Sequence, residues 1–173
     1  VYDHVLVSEP LSGPQLDSLN WLNRQGIGDS GNQFHYYRLT RENRILWGGY
    51  DAHYHFGSRM GPEVESNDQT CDLLAGHFFE TFPQLEGLSF THKWSGPIGT
   101  TTRFSCSWGS SHDGQVSWAV GYTGLGVGAS RFGAQVALDL VDEVDTERVE
   151  LEMVRKNPFP FPPEPFRWLG VQI

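Results

Sequence analysis

The chain has 173 residues, 38% of them hydrophobic and 13% aromatic, with six Trp and a formal net charge of −9. The acidic balance argues against nucleic acid or an anionic membrane as a partner. No run of about 18 apolar residues is present that would span a bilayer. Cys71 and Cys106 are the two cysteines and form neither a metal-ligand spacing nor a disulfide framework, so a reducing, cytoplasmic setting is expected. The chain opens directly on the strand-like Val1 to Val7, with no initiator Met and no signal-peptide pattern, and is expected to be a piece of a longer protein.

Tyr2 to Val7 alternates loosely and stops at Ser8-Glu9-Pro10, which predicts a strand. Residues 11–32 are rich in Gly, Ser, Asn and Asp and read as loop, with a short helical turn at 16–22. Phe34 to Leu39 and Arg44 to Gly49 carry β-formers around a polar Arg41-Glu42-Asn43 link, which predicts a hairpin. Asp51 to Pro62 reads as loop. Ser66 or Asn67 can cap a helix whose apolar set, Leu73, Leu74, His77, Phe78, Thr81 and Phe82, has helical spacing and ends before Pro83. Leu88 to Trp94 predicts a strand broken at Gly96-Pro97, and Phe104 to Trp108 another, before a turn at 110–114.

The stretch from Val116 to Val141 organises the second half. Val116 to Tyr122 suits a buried strand. Gly121, Gly124, Gly126 and Gly128 then permit positive φ and close approach. Ala129, Phe132, Gly133, Val136, Ala137, Leu140 and Val141 form the apolar stripe of a packed helix. A helix opening from a glycine turn offers free N–H groups and a positive dipole end to an oxygen-rich ligand atom. Glu147 to Arg155 fits helix or strand. Pro158 to Pro165 should run extended, with Phe159, Phe161, Phe166 and Trp168 as pegs on another surface.

Several motifs have weaker readings. Gly124 to Ala129 matches G-x-G-x-x-A, with Glu143 and Asp145 downstream, but the proline-rich tail leaves no room for the remaining βαβ units of a dinucleotide fold. His53 and His55, with His35, offer too few donors for a closed metal site, so none is expected. Cys106 reads as a buried structural thiol and Ser130 as a first-turn helix hydroxyl, since no G-x-S-x-G elbow occurs.

The order of RILWGG, ETFPQL, THKWSG and VGYTGLGV running into a helix resembles the C-terminal half of FAD-dependent amine and amino-acid oxidoreductases, the D-amino-acid-oxidase-like family. The resemblance covers nearly the whole chain, and its most specific pieces are Trp94-Ser95-Gly96 and Gly121 to Gly126. It implies an α+β fold: a mostly antiparallel substrate-domain sheet with packed helices over 1–96, the closing strand–helix unit of an FAD-binding domain over 97–142, and a proline-rich tail over 143–173. It implies FAD held by Gly96, Gly121, Tyr122, Thr123, Gly124, Gly126 and Val127, and a helix dipole that stabilises charge on the reduced flavin. It also implies a substrate face with Arg38, Tyr36 and Tyr50, in which Arg38 holds a carboxylate, although a salt bridge to Glu42 or Asp51 is an alternative for Arg38.

The implied activity is oxidation of the C–N bond of a small amine or amino acid, with the catalytic residue unassigned. An N-terminal ADP-binding half of the same protein is the implied partner, and the isolated chain is expected to be inactive and not to hold FAD tightly. Arg103 and Cys106 stand where the family has Asp and Pro, Gly128 stands where some members have a carboxylate-binding Lys, and the flavin-linking Cys is missing, so the flavin is expected to be non-covalent. The alternative is a non-enzymatic module whose aromatic sheet face binds a small ligand or a partner.

Overall fold

The computed structural model describes residues 1–172; the last residue of the expected tail lies outside the described residues. The chain divides into two compact units, Tyr2–Pro97 and a second made of Val1 with the chain from Ile98 onward.

The first unit runs β1 (Tyr2–Ser8), α1 (Gly13–Leu19), β2 (Ile27–Gly28), β3 (His35–Leu39), β4 (Ile45–Gly49), α2 (Pro62–Glu65), α3 (Asp68–Thr81) and β5 (Phe90–Pro97). Its five strands are antiparallel in the order β2-β3-β4-β1-β5. The hairpin and α3 follow the sequence expectation. Asn67 caps α3 by accepting a hydrogen bond from the Thr70 N–H at 3.2 Å. Leu74 and Phe78 of α3 are fully buried against Leu6, Leu39, Ile45 and Trp47, and each such side chain stabilises the fold by about 1.5–3 kcal/mol. Trp47 is 1% exposed, donates its indole N–H to the Leu74 carbonyl at 3.0 Å, and meets Phe78 edge-on. Sheet and helix are thereby bonded as well as packed.

Two boundaries differ from expectation. The helical turn placed at 16–22 is α1 at Gly13–Leu19, because Ser12 and Gln15 form a capping box, Pro14 suits the first turn, and Asn20 ends the helix in the left-handed region. The strand expected to break at Gly96-Pro97 runs through both residues: Gly96 pairs with Asp3 and Pro97 with Tyr2. β5 is an edge strand, where a missing N–H on the outer side costs nothing.

The second unit contains the hairpin β6 (Ser107–Ser111) and β7 (Val116–Val120), then α4 (Gly126–Val141), α5 (Glu147–Glu150), α6 (Glu152–Arg155) and α7 (Phe166–Gln172). Its core is Cys106, Trp108, Val136 and Val154, with Phe132 set edge-on to Trp108. At Gly133 a Cβ would overlap the Tyr122 hydroxyl, so glycine there lets α4 lie close to the turn that precedes it.

Three expectations fail here. β6 begins after Phe104, because Phe104 takes φ +54° in a turn closed by its N–H on the Thr101 carbonyl. β7 is not a buried strand. Val116, Trp118 and Val120 are 48%, 38% and 52% exposed, since α4 covers only the face of Ser117 and Ala119. Around its prolines the tail is free of helix and turn only over 157–163. Before that segment stand the two short turns α5 and α6; after it, Glu164 accepts a hydrogen bond from the Trp168 N–H at 3.1 Å and α7 begins. Phe159 and Phe166 are strongly exposed, whereas Phe161 and Trp168 are less so.

Candidate functional site

The glycine turn is stitched to the preceding loop. The Thr123 N–H donates to the Gly99 carbonyl at 2.9 Å, and its hydroxyl donates to the Gly121 carbonyl at 3.2 Å and accepts from the Thr101 N–H at 3.4 Å. Gly121 (φ +74°), Thr123 (φ +53°) and Gly124 (φ +81°) take the positive φ that reverses the chain. A Cβ at Gly121 would stand 2.5 Å from the Thr101 methyl, so that position is closed to a side chain twice over. Gly126 and Gly128 differ from the expectation of positive φ: both lie inside α4 with helical backbone, and a Cβ at Gly128 meets nothing within 4 Å.

The N-terminus of α4 is open. Its N-cap is Leu125, which offers no side-chain acceptor, in place of the Ser, Thr, Asp or Asn that usually satisfies the first-turn N–H groups. Val127 is 96% exposed and Leu125 64%. A sixteen-residue helix thus presents backbone donors and the positive end of its dipole to whatever lies beyond Gly124 and Gly128. Tyr122 faces the other way. Its ring packs into the core beside Gly133, and burial with the nearby Cys106 thiol raises its pKa above the usual phenol value. Of the cofactor candidates in this loop, Gly124, Gly126 and Val127 line the open end, and Gly121 and Thr123 shape the turn. Gly96 lies in β5 of the other unit.

Cys106 is 5% exposed, and burial pushes its thiol pKa up. Arg103 donates to the carbonyls of Cys106 at 2.9 Å and Met153 at 3.0 Å, and also to that of Lys156. It thereby binds the end of α6 to the loop before β6. Ser130 returns its hydroxyl to the Val127 carbonyl, as a first-turn serine does.

In the first unit the two sheet faces divide the substrate candidates. His35, Tyr37 and Leu39 face α3; Tyr37 packs against Trp47, Phe82 and Trp21. Tyr36 and Arg38 face away. The Tyr36 hydroxyl donates to Asp3 Oδ2 at 2.7 Å, and burial and that carboxylate hold its proton well above the usual phenol range. Arg38 is exposed and forms no ion pair among the described residues, so the alternative bridge to Glu42 or Asp51 is not made. Tyr50 does not join them. Its ring stacks on His35 at 5.0 Å and meets the edge of His77 at 4.4 Å, on the α3 side.

That side carries a cluster which sequence reasoning did not assemble. His35 Nδ1 lies 2.7 Å from Asp29 Oδ2, His35 Nε2 lies 3.0 Å from His77 Nδ1, and the His35 ring is stacked between Trp47 and Tyr50. The backbone and ring N–H groups of His35 hold the Asp29 carboxyl below its ordinary pKa. No sequence signal joins Asp29 in a loop to His77 on a helix; the β2–β3 pairing sets Asp29 beside His35, and α3 brings His77 to it. His53 sits with Asp51, Thr70 and Asn67 at 2.6–3.1 Å. Among the described residues, no group of three or more His, Cys, Asp or Glu side chains is placed to hold a metal ion, and no helix is long and apolar enough to cross a membrane.

Residues 1–140 match the family model described as FAD dependent oxidoreductase. The chain is 29% identical over 136 residues to the gamma-glutamylputrescine oxidoreductase of Escherichia coli (strain K12), which covers 79% of this chain and 29% of that protein. It is 26% identical over 146 residues to the probable oxidoreductase OrdL of Haemophilus influenzae, covering 82% of this chain and 29% of that protein. The chain therefore spans about three tenths of the length of these curated relatives. No solved structure gives a significant match.

Proposed function

Since this chain belongs to the FAD-dependent oxidoreductase family, we propose that the whole protein oxidises a C–N bond of a small amine or amino acid, and that this chain supplies its substrate-face sheet and a flavin-side loop. The observation that carries the reading is the open N-terminus of α4. An apolar N-cap, a positive-φ glycine before it and an unobstructed Gly128 behind it form a cradle for an electron-rich ring edge. Those features fit FAD, which when bound supplies the two-electron acceptor.

Gly124, Gly126 and Val127 hold the oxygen edge through backbone N–H groups, and the dipole of α4 favours negative charge there. Tyr122 anchors the turn from behind, and Thr123 fixes its curvature. With Cys106 buried among Trp108, Val136 and Val154, the loop offers no accessible thiol for a covalent link, which supports a non-covalent flavin. The name of the Escherichia coli relative, a gamma-glutamylputrescine oxidoreductase, supports an amine as the substrate. Arg38 supports a carboxylate on it: an unpaired guanidinium on the open sheet face can take a carboxylate with two hydrogen bonds. The isolated chain is proposed to be inactive, since the described residues of neither unit contain a pyrophosphate-binding βαβ unit.

The test uses the flavin-loaded whole protein, mixed without oxygen with a carboxylated amine and with its decarboxylated counterpart. Both should bleach the flavin. Arg38→Met should slow reduction by the carboxylated amine alone, by roughly ten- to a hundredfold, the worth of a charge-assisted hydrogen-bond pair. A flavin that no amine reduces would refute the oxidase reading, and equal losses on both substrates would return Arg38 to the scaffold.

A further inference from the structure

We propose that Asp3, flanked by Tyr36 and Trp94 on the sheet face turned away from α3, forms a recognition site for a protonated alkylammonium group. Assigning that group to the substrate rests on the oxidase reading above; the binding itself does not.

The strand register builds the site. One row across the sheet reads Tyr36, Gly48, Val5, Trp94. Side chains at these four positions share a face. Lys93 and Ser95, on either side of Trp94, point to the other face, where they bond to Asp68 and to the Glu65 carbonyl. The row therefore has an aromatic ring at each end, and Gly48 and Val5 between them are buried. In the next row Asp3 stands opposite Gly96. A Cβ built on Gly96 meets nothing within 4 Å, so the space beside the carboxylate is open. A Cβ on Gly48 would stand 2.8 Å from the Tyr36 hydroxyl, so the ring lies flat over the glycine to reach Asp3.

The polar groups are set for a cation. Asp3 Oδ1 accepts from the His4 N–H at 3.0 Å and Oδ2 from the Tyr36 hydroxyl at 2.7 Å. A carboxylate accepts about four hydrogen bonds, so capacity remains on both oxygens. Tyr36 has spent its only proton on Asp3 and can no longer donate to an anion; it offers an oxygen lone pair and a ring face. Trp94 is 48% exposed and makes no ring contact among the described residues, leaving its indole face free. A negative charge between two aromatic rings attracts an ammonium through Coulomb and cation–π terms together. Arg38, a cation on this face, lies in the row of Leu46 and Val7, two rows from Asp3.

The experiment titrates the 173-residue protein with butylammonium chloride and, separately, with sodium butyrate, following the indole N–H resonance of Trp94 by NMR. Butylammonium should shift that resonance saturably and butyrate should not. Asp3→Asn, which keeps an acceptor for Tyr36, should weaken the butylammonium response by about tenfold with an unchanged amide spectrum elsewhere. An equal response to both ions, or no saturable shift at Trp94, would overturn the proposal, as would an undiminished affinity in folded Asp3→Asn. Should Asp3→Asn fail to fold, the comparison of butylammonium with butyrate on the unaltered protein still decides. Turnover plays no part in the readout: binding here by a protein that oxidises no amine would uphold the site and refute the oxidase reading.

Discussion

Gly121 in the turn and Gly128 in the first turn of α4 should respond in opposite directions to the same methyl group. Gly121→Ala forces a side chain into φ +74°, which costs about 1–2 kcal/mol. It also sets the new methyl 2.5 Å from the Thr101 methyl, an overlap that costs about 1–3 kcal/mol more because Thr101 is held by its hydroxyl on the Ser105 carbonyl. Gly128→Ala meets nothing within 4 Å and replaces a glycine inside a helix, a gain of up to about 1 kcal/mol that is smaller in the first turn. For a chain of this size each kcal/mol moves the unfolding midpoint by about 2–4 °C. Thermal unfolding of the two variants beside the parent reads both effects, and flavin retention by the corresponding whole proteins on a desalting column reads a third. The methyl of Gly128→Ala projects into the space proposed for the flavin edge, so the variant should be more heat-stable without cofactor and yet lose flavin faster. Gly121→Ala as stable as the parent would refute the account of the turn. Unimpaired flavin retention in Gly128→Ala would remove the first turn of α4 from the cofactor site.

Asn67→Ala should cost about 1 kcal/mol by stripping the cap from α3, and should do so in the 2–97 unit, as read by amide exchange along α3. Asp139 gives a pH dependence. Its hydrogen bond from Thr146 at 2.7 Å and its ion pair with Arg148 at 2.8 Å hold its carboxyl below the ordinary value. A depressed folded-state pKa means that the stabilisation is complete above the usual carboxylate range and is lost as pH falls through the depressed value. Unfolding of the parent followed from neutral to acidic pH should steepen there, and Asp139→Asn should flatten that part of the curve.

The sequence was legible wherever one face of an element is buried in its own unit. The 34–49 hairpin and α3 show their inward residues at the right period, and Asn67 announces the helix start. β7 misleads because its β-formers, Val116, Trp118 and Val120, lie on the open face, whereas Ser117 and Ala119 meet α4. Residue type alone cannot tell a buried strand from one whose cover comes from elsewhere. The run of glycines marks the turn, but Gly126 and Gly128 belong to the helix and not to its positive-φ turn; only dihedral angles separate the two uses of glycine. Tyr36 and Arg38 could be placed on one face by alternation. Their neighbours Asp3 and Trp94 could not, because strands β1 and β5 bring them in from distant parts of the chain, Asp3 from 33 residues before Tyr36.

The unequal finish of the two sheets bears on how the chain behaves at high concentration. The five-stranded sheet ends in a two-residue strand on one side and in a strand closing on Gly96-Pro97 on the other, both poor templates for a further strand. The β6–β7 hairpin has no such protection: each strand keeps one unpaired edge, and its apolar outer face carries Trp118 lying over Gly109. Any self-association of the isolated chain is expected at that hairpin, opposed by the net charge of −9, which added salt screens.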